Sequence, residues 1–177
     1  MKQALDSVSR SEIDGFMKLL AEALETGRTI FVMGNGGSGA TASHFAADFN
    51  KGISYGKAKR FRFVCLNDNV PTLTAYANDL GYEEVFVEQL RNFLSPGDLV
   101  IGISGSGNSP NILKAIEYAN GMGAKTVGLT GYDGGKLRRL AGCGVNIPID
   151  NMQVAEDLHM MLDHLVYSVF THYLPNL

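Results

Sequence analysis

Five short apolar runs, each leading through turn residues towards a helical pattern or the chain's last helix, limit what this chain can fold into. They are Thr29–Met33, Phe61–Leu66, Leu99–Ser104, Thr126–Thr130 and Gly144–Ile149. Most are rich in β-branched residues and nearly unbroken in apolarity, the pattern of parallel strands buried on both faces. A strand with one wet face would alternate instead.

Helical periodicity fills the intervals. Residues 3–26 read as one amphipathic helix, with Leu5, Ile13, Phe16, Leu19, Leu20 and Leu24 near helical spacing. Ser38–Asn50 and Tyr82–Leu94 follow, the latter reached through a short irregular helical stretch near Val70–Ala77. Ser109–Met122 has Ser109 placed to cap and Pro110 at the first helical position, where its missing N–H costs nothing. The last helix is expected over Val154–Tyr173, ended by Pro175. Strands alternating with helices require right-handed crossovers, so the expected fold is α/β. It is a doubly wound three-layer sandwich around a five-stranded parallel sheet, flavodoxin-like in plan. No repeat, linker or low-complexity segment interrupts the 177 residues, which read as a single domain over 1–177.

In such sheets ligands bind beyond the carboxyl ends of the strands. The chain's 21 glycines gather in loops, several of them at these ends. Gly34-Asn35-Gly36-Gly37-Ser38-Gly39 fits a dinucleotide fingerprint in its spacing, but a lone match is weak. The acidic ribose partner expected ~20 residues on is not evident, since Asp68 comes later and lies between Asn67 and Asn69. The run Ser104-Gly105-Ser106-Gly107-Asn108-Ser109-Pro110 is more telling. Its serines, its unobstructed backbone and a helix start at Pro110 make an anion cradle. With no Walker lysine it suits a phosphate monoester held as a handle rather than one being transferred. Thr130-Gly131-Tyr132-Asp133-Gly134-Gly135 reads mainly as a structural turn.

His44 and Asp48 are four apart on one helix and share a face. On the last helix Glu156, His159, Asp163 and His164 form a polar group among Leu158, Met161, Leu162, Leu165 and Val166. Glu156 and His164 lie within about 80° of each other around the axis. Two imidazoles and two carboxylates from two helices suit Zn²⁺ or a similar ion, or an acid–base pair, although such spacing also arises in ordinary helix interfaces. His172 should be exposed. Cys65 and Cys143 lack metal spacing and read as buried free thiols of a reducing compartment.

The formal charge is −3, from 15 basic and 18 acidic residues, and the longest basic run is Lys57-Ala58-Lys59-Arg60. Nucleic-acid binding is not indicated. Met1–Asp6 is too polar for a signal peptide and no apolar run approaches ~18 residues, so a cytoplasmic protein without a membrane partner is expected.

Taken in order, these motifs resemble a known family. Gly34-Asn35-Gly36-Gly37-Ser38, then His44-Phe45-Ala46-Ala47, Asn78-Asp79 before Gly81, Gly102–Ser109, Leu129-Thr130-Gly131, Asp133-Gly134-Gly135-Lys136, and a last helix with Glu156, His159 and His164 are similar to the SIS-domain phosphoheptose isomerases. That resemblance covers nearly the whole chain. It implies aldose–ketose isomerisation of sedoheptulose 7-phosphate through an enediol, in a homo-oligomer expected to be a tetramer, supplying heptose for lipopolysaccharide or other surface glycans. Carried over by motif, Ser38, Ser104, Ser106 and Ser109 would hold the phosphate. Asn35, with Gly36, Asn78 and Asp79, would meet the sugar. Zn²⁺ would bind His44, Asp48, Glu156 and His164, with Asp48 and His164 as acid and base and Glu156 also touching substrate. Three positions depart from the family pattern: Asp48 replaces Glu, Glu156 replaces Gln, and Gln153 replaces Asp. An isomerase of another ketose phosphate, and a non-catalytic adaptor of the kind that binds the replication initiator DnaA, are the competing readings.

Overall fold

The computed structural model describes residues 2–172. Five parallel strands, β1 (Thr29–Gly34), β2 (Arg62–Cys65), β3 (Leu99–Ser104), β4 (Lys125–Gly131) and β5 (Cys143–Ile147), form one sheet in the order β2-β1-β3-β4-β5. Alternate residues of each strand serve opposite faces. On β1, Ile30 and Val32 join one core while Phe31 and Met33 join the other. Helices cover both faces of the inner strands, which is why β1, β3 and β4 read as continuous apolar runs. β2, at the sheet edge, leaves Arg62 and Val64 exposed. The expected doubly wound three-layer architecture is the one observed.

On one face lie α1 (Lys2–Ser7), α2 (Arg10–Thr26), α3 (Gly37–Ala47) and α8 (Met152–His172). An aromatic cluster anchors this layer: Phe49 sits 4.8 Å from Phe63, 4.9 Å from Phe61 and 5.8 Å from Phe45 between ring centroids. The other face carries α5 (Val87–Phe93), α6 (Pro110–Gly121) and α7 (Gly135–Leu140), with Ile112, Ile116 and Leu137 fully buried. A further helix, α4 (Val70–Asp79), follows β2.

Several boundaries differ from expectation for local reasons. The helix expected over 3–26 breaks at Ser9, whose extended backbone and hydroxyl, accepting from Glu12 N–H at 3.4 Å, start α2 afresh. The helix expected over Ser38–Asn50 ends at Ala47 and continues as a π turn over Asp48–Ile53. The segment 82–94 divides into a 3₁₀ turn (Tyr82–Glu84) and α5. β5 stops before Pro148, which lacks the N–H that a ladder needs. Helix α7 was not expected at all. Of the expected last helix, Tyr173 and the terminating Pro175 lie outside the described residues. Cys65 is buried as expected, whereas Cys143 is only half-buried; both are free.

Candidate active site

Strand order reverses between β1 and β3, so the loops after these two strands diverge and leave a crevice between them. The chain leaves β1 through Gly34, where any Cβ would stand 2.4 Å from the Ser38 carbonyl group, and turns into α3. Asn67, just past β2, clamps this corner: it accepts from Gly34 N–H at 3.2 Å and donates to Gly34 C=O at 2.7 Å. Asn35 exchanges amide hydrogen bonds with Asn111 on α6, at 3.0 and 2.9 Å, and accepts from the Tyr82 hydroxyl at 2.8 Å. Two divergent loops are thereby tied into one rigid rim.

On the other side, Ser104 ends β3 buried, and its hydroxyl meets that of Ser109 at 3.0 Å. Ser109 holds the N-cap position of α6, yet its side chain makes no capping bond, contrary to the role expected of it. The hydroxyl turns towards Ser104 instead; in the first turn of α6 Pro110 has no N–H, Ile112 N–H donates to the Asn111 side chain at 3.0 Å and Leu113 N–H to Ser109 O at 3.0 Å. Gly107 (φ 65°) packs so closely on the next loop that a Cβ would lie 2.1 Å from Gly134 O. That next loop, 130–135, is a buttress: Gly131 N–H donates to Gly105 O at 2.8 Å and Leu137 N–H to Gly107 O at 2.9 Å.

The resulting cleft, of about 260 Å³, is lined by Asn35, Gly36, Ser38, Ser104, Ser106, Ser109 and Glu156, so seven residues singled out in the sequence converge there. The N-termini of α3 and α6 both face it and favour an anion. Asn78 and Asp79 do not line it; they stand exposed at the end of α4, with the Asn78 amide donating to Asp79 at 2.7 Å.

Further along α3 and α8 a second cluster forms. The Nε2 atoms of His44 and His164 approach to 3.0 Å, Asp48 lies 3.5 Å from His44 Nε2, and Asp163 lies 3.8 Å from it. One donor atom from each of these four residues falls within 4.8 Å of all the others. Tetrahedral coordination at ordinary zinc distances puts ligand atoms ~3.3 Å apart, so the donor set and its spacing fit a divalent ion. The deciding observation is Asp163: its side chain is fully buried and neither carboxylate oxygen has a hydrogen-bond partner. Burial, and then the Asp48 carboxylate, push its pKa up to about 7. Glu156, expected as the fourth ligand, stands apart from this group and packs against Gly37, where a Cβ would meet its Oε2 at 2.4 Å.

His159 belongs to neither cluster. It is fully buried, with Nε2 3.1 Å from the Thr130 carbonyl and Nδ1 unpartnered. A carbonyl only accepts, so Nε2 carries the proton and the ring is neutral; burial pushes its pKa down to about 4. His172 is exposed, as expected.

Residues 1–131 match the family model described as SIS domain. The chain is 38% identical over 159 residues to the phosphoheptose isomerase of Aliarcobacter butzleri, spanning 90% of this chain and 84% of that one. The chain belongs to the SIS-domain phosphoheptose isomerases. The Helicobacter pylori (strain P12) phosphoheptose isomerase is 39% identical over 166 residues, 94% of this chain and 85% of the other. Among solved structures, the phosphoheptose isomerase of Neisseria gonorrhoeae superposes with a TM-score of 0.87 at 30% identity, covering 96% of this chain and 90% of that one.

In this SIS-domain isomerase the residues that sequence reasoning missed are second partners. Asn67, Tyr82, Asn111 and Asn108, whose side-chain oxygen accepts from Lys136 N–H at 3.2 Å, hold the loops rather than line them with donors. Asn67 alone left a signal, as a polar residue directly after an apolar strand. Asp163 also left one, discussed below.

Proposed function

We propose that the 177-residue chain acts as one SIS domain that converts sedoheptulose 7-phosphate to D-glycero-D-manno-heptose 7-phosphate. The observation that carries this reading is the placement of two different chemistries on the same two helices. Ser38 opens α3 at the anion cleft, and His44 follows about 9 Å further along the axis. Glu156 lies at the cleft on α8, and His164 follows about 12 Å further on. An extended sugar phosphate spans such a distance, with its phosphate at the serines and its carbonyl end at the histidines.

Ser38, Ser104, Ser106 and Ser109 hold the phosphate with hydroxyls and backbone N–H groups, while Asn35 and Glu156 meet sugar hydroxyls. Asp79 and its neighbour Asn78, exposed at the end of α4, are assigned to the substrate's middle carbons. Asp48 takes the proton from the carbon beside the carbonyl and returns it to the neighbouring carbon. His164 exchanges a proton with the sugar oxygens, so an enediol forms and collapses. His44, Asp48 and His164 would hold a zinc ion, which would supply polarisation of the carbonyl and hydroxyl oxygens. Leu5, Met161 and Leu165 are exposed along a groove between the N-terminal helices and α8, which supports a homo-oligomer, with a tetramer as the proposed form. Among the described residues no helix is long and apolar enough to cross a membrane; a cytoplasmic location and a role in lipopolysaccharide heptose supply complete the proposal.

The test is to purify the protein without chelator, measure bound metal and assay sedoheptulose 7-phosphate conversion in one preparation. About one zinc per chain with turnover, both lost in His164→Ala while the fold persists, is the expected result. Full activity in His164→Ala refutes its role, and metal without turnover refutes the assigned sugar.

A further inference from the structure

Two aspartates are buried among the described residues, and they differ sharply. Asp98, 4% exposed, accepts from Thr29 N–H at 3.0 Å and Ser95 N–H at 2.9 Å. Asp163, 0% exposed, accepts from nothing. Its one ion-pair contact among the described residues is His44 Nε2 at 3.8 Å, beyond hydrogen-bond reach. A carboxylate held dry and unpartnered costs several kcal/mol, so a native fold retains one where something else satisfies it. No lysine or arginine among the described residues pairs with it. What surrounds it instead is donor atoms: His44, Asp48 and His164.

We propose that Asp163 is itself a ligand of the divalent ion, completing with His44, Asp48 and His164 a set of two imidazoles and two carboxylates from which Glu156 is released. Successive residues on a helix point ~100° apart, so Asp163 reaches the ion from the core side and His164 from the solvent side. The two oxygens of Asp163 that lack partners become ligand atoms, which removes their cost. Glu156, against Gly37 in the phosphate cleft, is left to act on the sugar. The inference rests on the reading that this site holds a divalent ion, and the experiment separates the two.

Zinc affinity is measured on the full chain by competition with a chromophoric chelator, with Co²⁺ absorption as a second readout of ligand number. The proteins compared are wild type, Asp163→Asn, Asp163→Leu and Glu156→Gln. Both Asp163 variants are expected to weaken zinc binding by more than about 100-fold, beyond what loss of a residue that merely orients a ligand costs. Glu156→Gln is expected to stay within about threefold of wild type, far inside that range. Asp163→Leu removes the buried carboxylate, so it is expected to fold if the isosteric amide does not, and its metal-free form should melt above wild type. Affinity that follows Glu156 rather than Asp163, or Asp163 variants that bind zinc like wild type, overturns the inference alone. A wild-type chain that binds no divalent ion overturns it together with the metal reading.

Discussion

His159 makes the fold's response to acid calculable. The folded imidazole is neutral, with its pKa near 4, while an unfolded histidine titrates at 6.5. Between these values the unfolded chain binds a proton that the folded chain refuses, so stability falls as pH falls, and is unaffected above 6.5. The full shift corresponds to roughly 3 kcal/mol, of which about 2 kcal/mol is already lost at pH 5. Asp163 acts in the opposite sense in the ion-free protein. Its pKa is raised from 3.8 to about 7, so its stabilisation is complete below 3.8 and disappears as pH rises through 7. A single pH profile therefore mixes the two.

The variant His159→Gln separates them. Glutamine keeps an N–H for the Thr130 carbonyl but does not titrate. Urea unfolding at fixed protein concentration, in chelator, at pH 8 and pH 5 gives the double difference between wild type and variant. Asp163 is common to both proteins and cancels. Wild type should lose about 2 kcal/mol more than the variant over this interval. Equal losses would mean that His159 accepts its proton in the folded state, and the burial argument for the neutral Nε2–H form would fail.

Other expected outcomes are more direct. Ser109→Ala should raise the KM for sugar phosphate while costing stability no more than about 1.5 kcal/mol, the worth of its hydrogen bond to Ser104; an unchanged KM would refute its place in the anion cleft. Gly107→Ala sets a Cβ 2.1 Å from Gly134 O in a left-handed turn, so it should cost phosphosugar affinity and lower the melting temperature, as thermal melts and ligand titration would show. Phe49→Ala, at the centre of the ring cluster, should destabilise by about 3–5 kcal/mol in urea unfolding.

The sheet and the anion cleft were legible because both are written locally. Burial on two faces makes parallel strands apolar throughout, and the serines and glycines fall directly after β1 and β3. The break at Ser9 was less visible, since α1 and α2 share one helical period across it, although Ser9 and Glu12 carry the spacing of a capping pair. Helix α7 is only six residues long, too short for a period to show. The ligand set was ambiguous for a geometric reason. Sequence spacing relates Glu156, Asp163 and His164 to one another but not to the sheet, and only packing fixes the rotation of α8. Yet Ala155, Leu158, His159, Leu162, Asp163, Val166 and Phe170 form its buried stripe. Two titratable residues on an otherwise apolar stripe were present in the sequence as a signal.

That rotation links two of the three departures from the family pattern. Asp48 is one methylene shorter than the glutamate it replaces, and it opens a π turn, where the wider helix shifts its side chain relative to His44. Glu156 is charged where the resemblance implies an amide, and it lines the cleft. Asp163, buried on α8, brings its carboxylate to the same cluster as Asp48. Both helices start at the cleft and both reach the histidine pair on rigid backbone. The separation of the cleft from the histidine pair is therefore set by helix rise rather than by loops. On the proposed reading, a metal ligand at Asp163 in place of Glu156 would change the ion's charge environment without moving the sugar phosphate along its track.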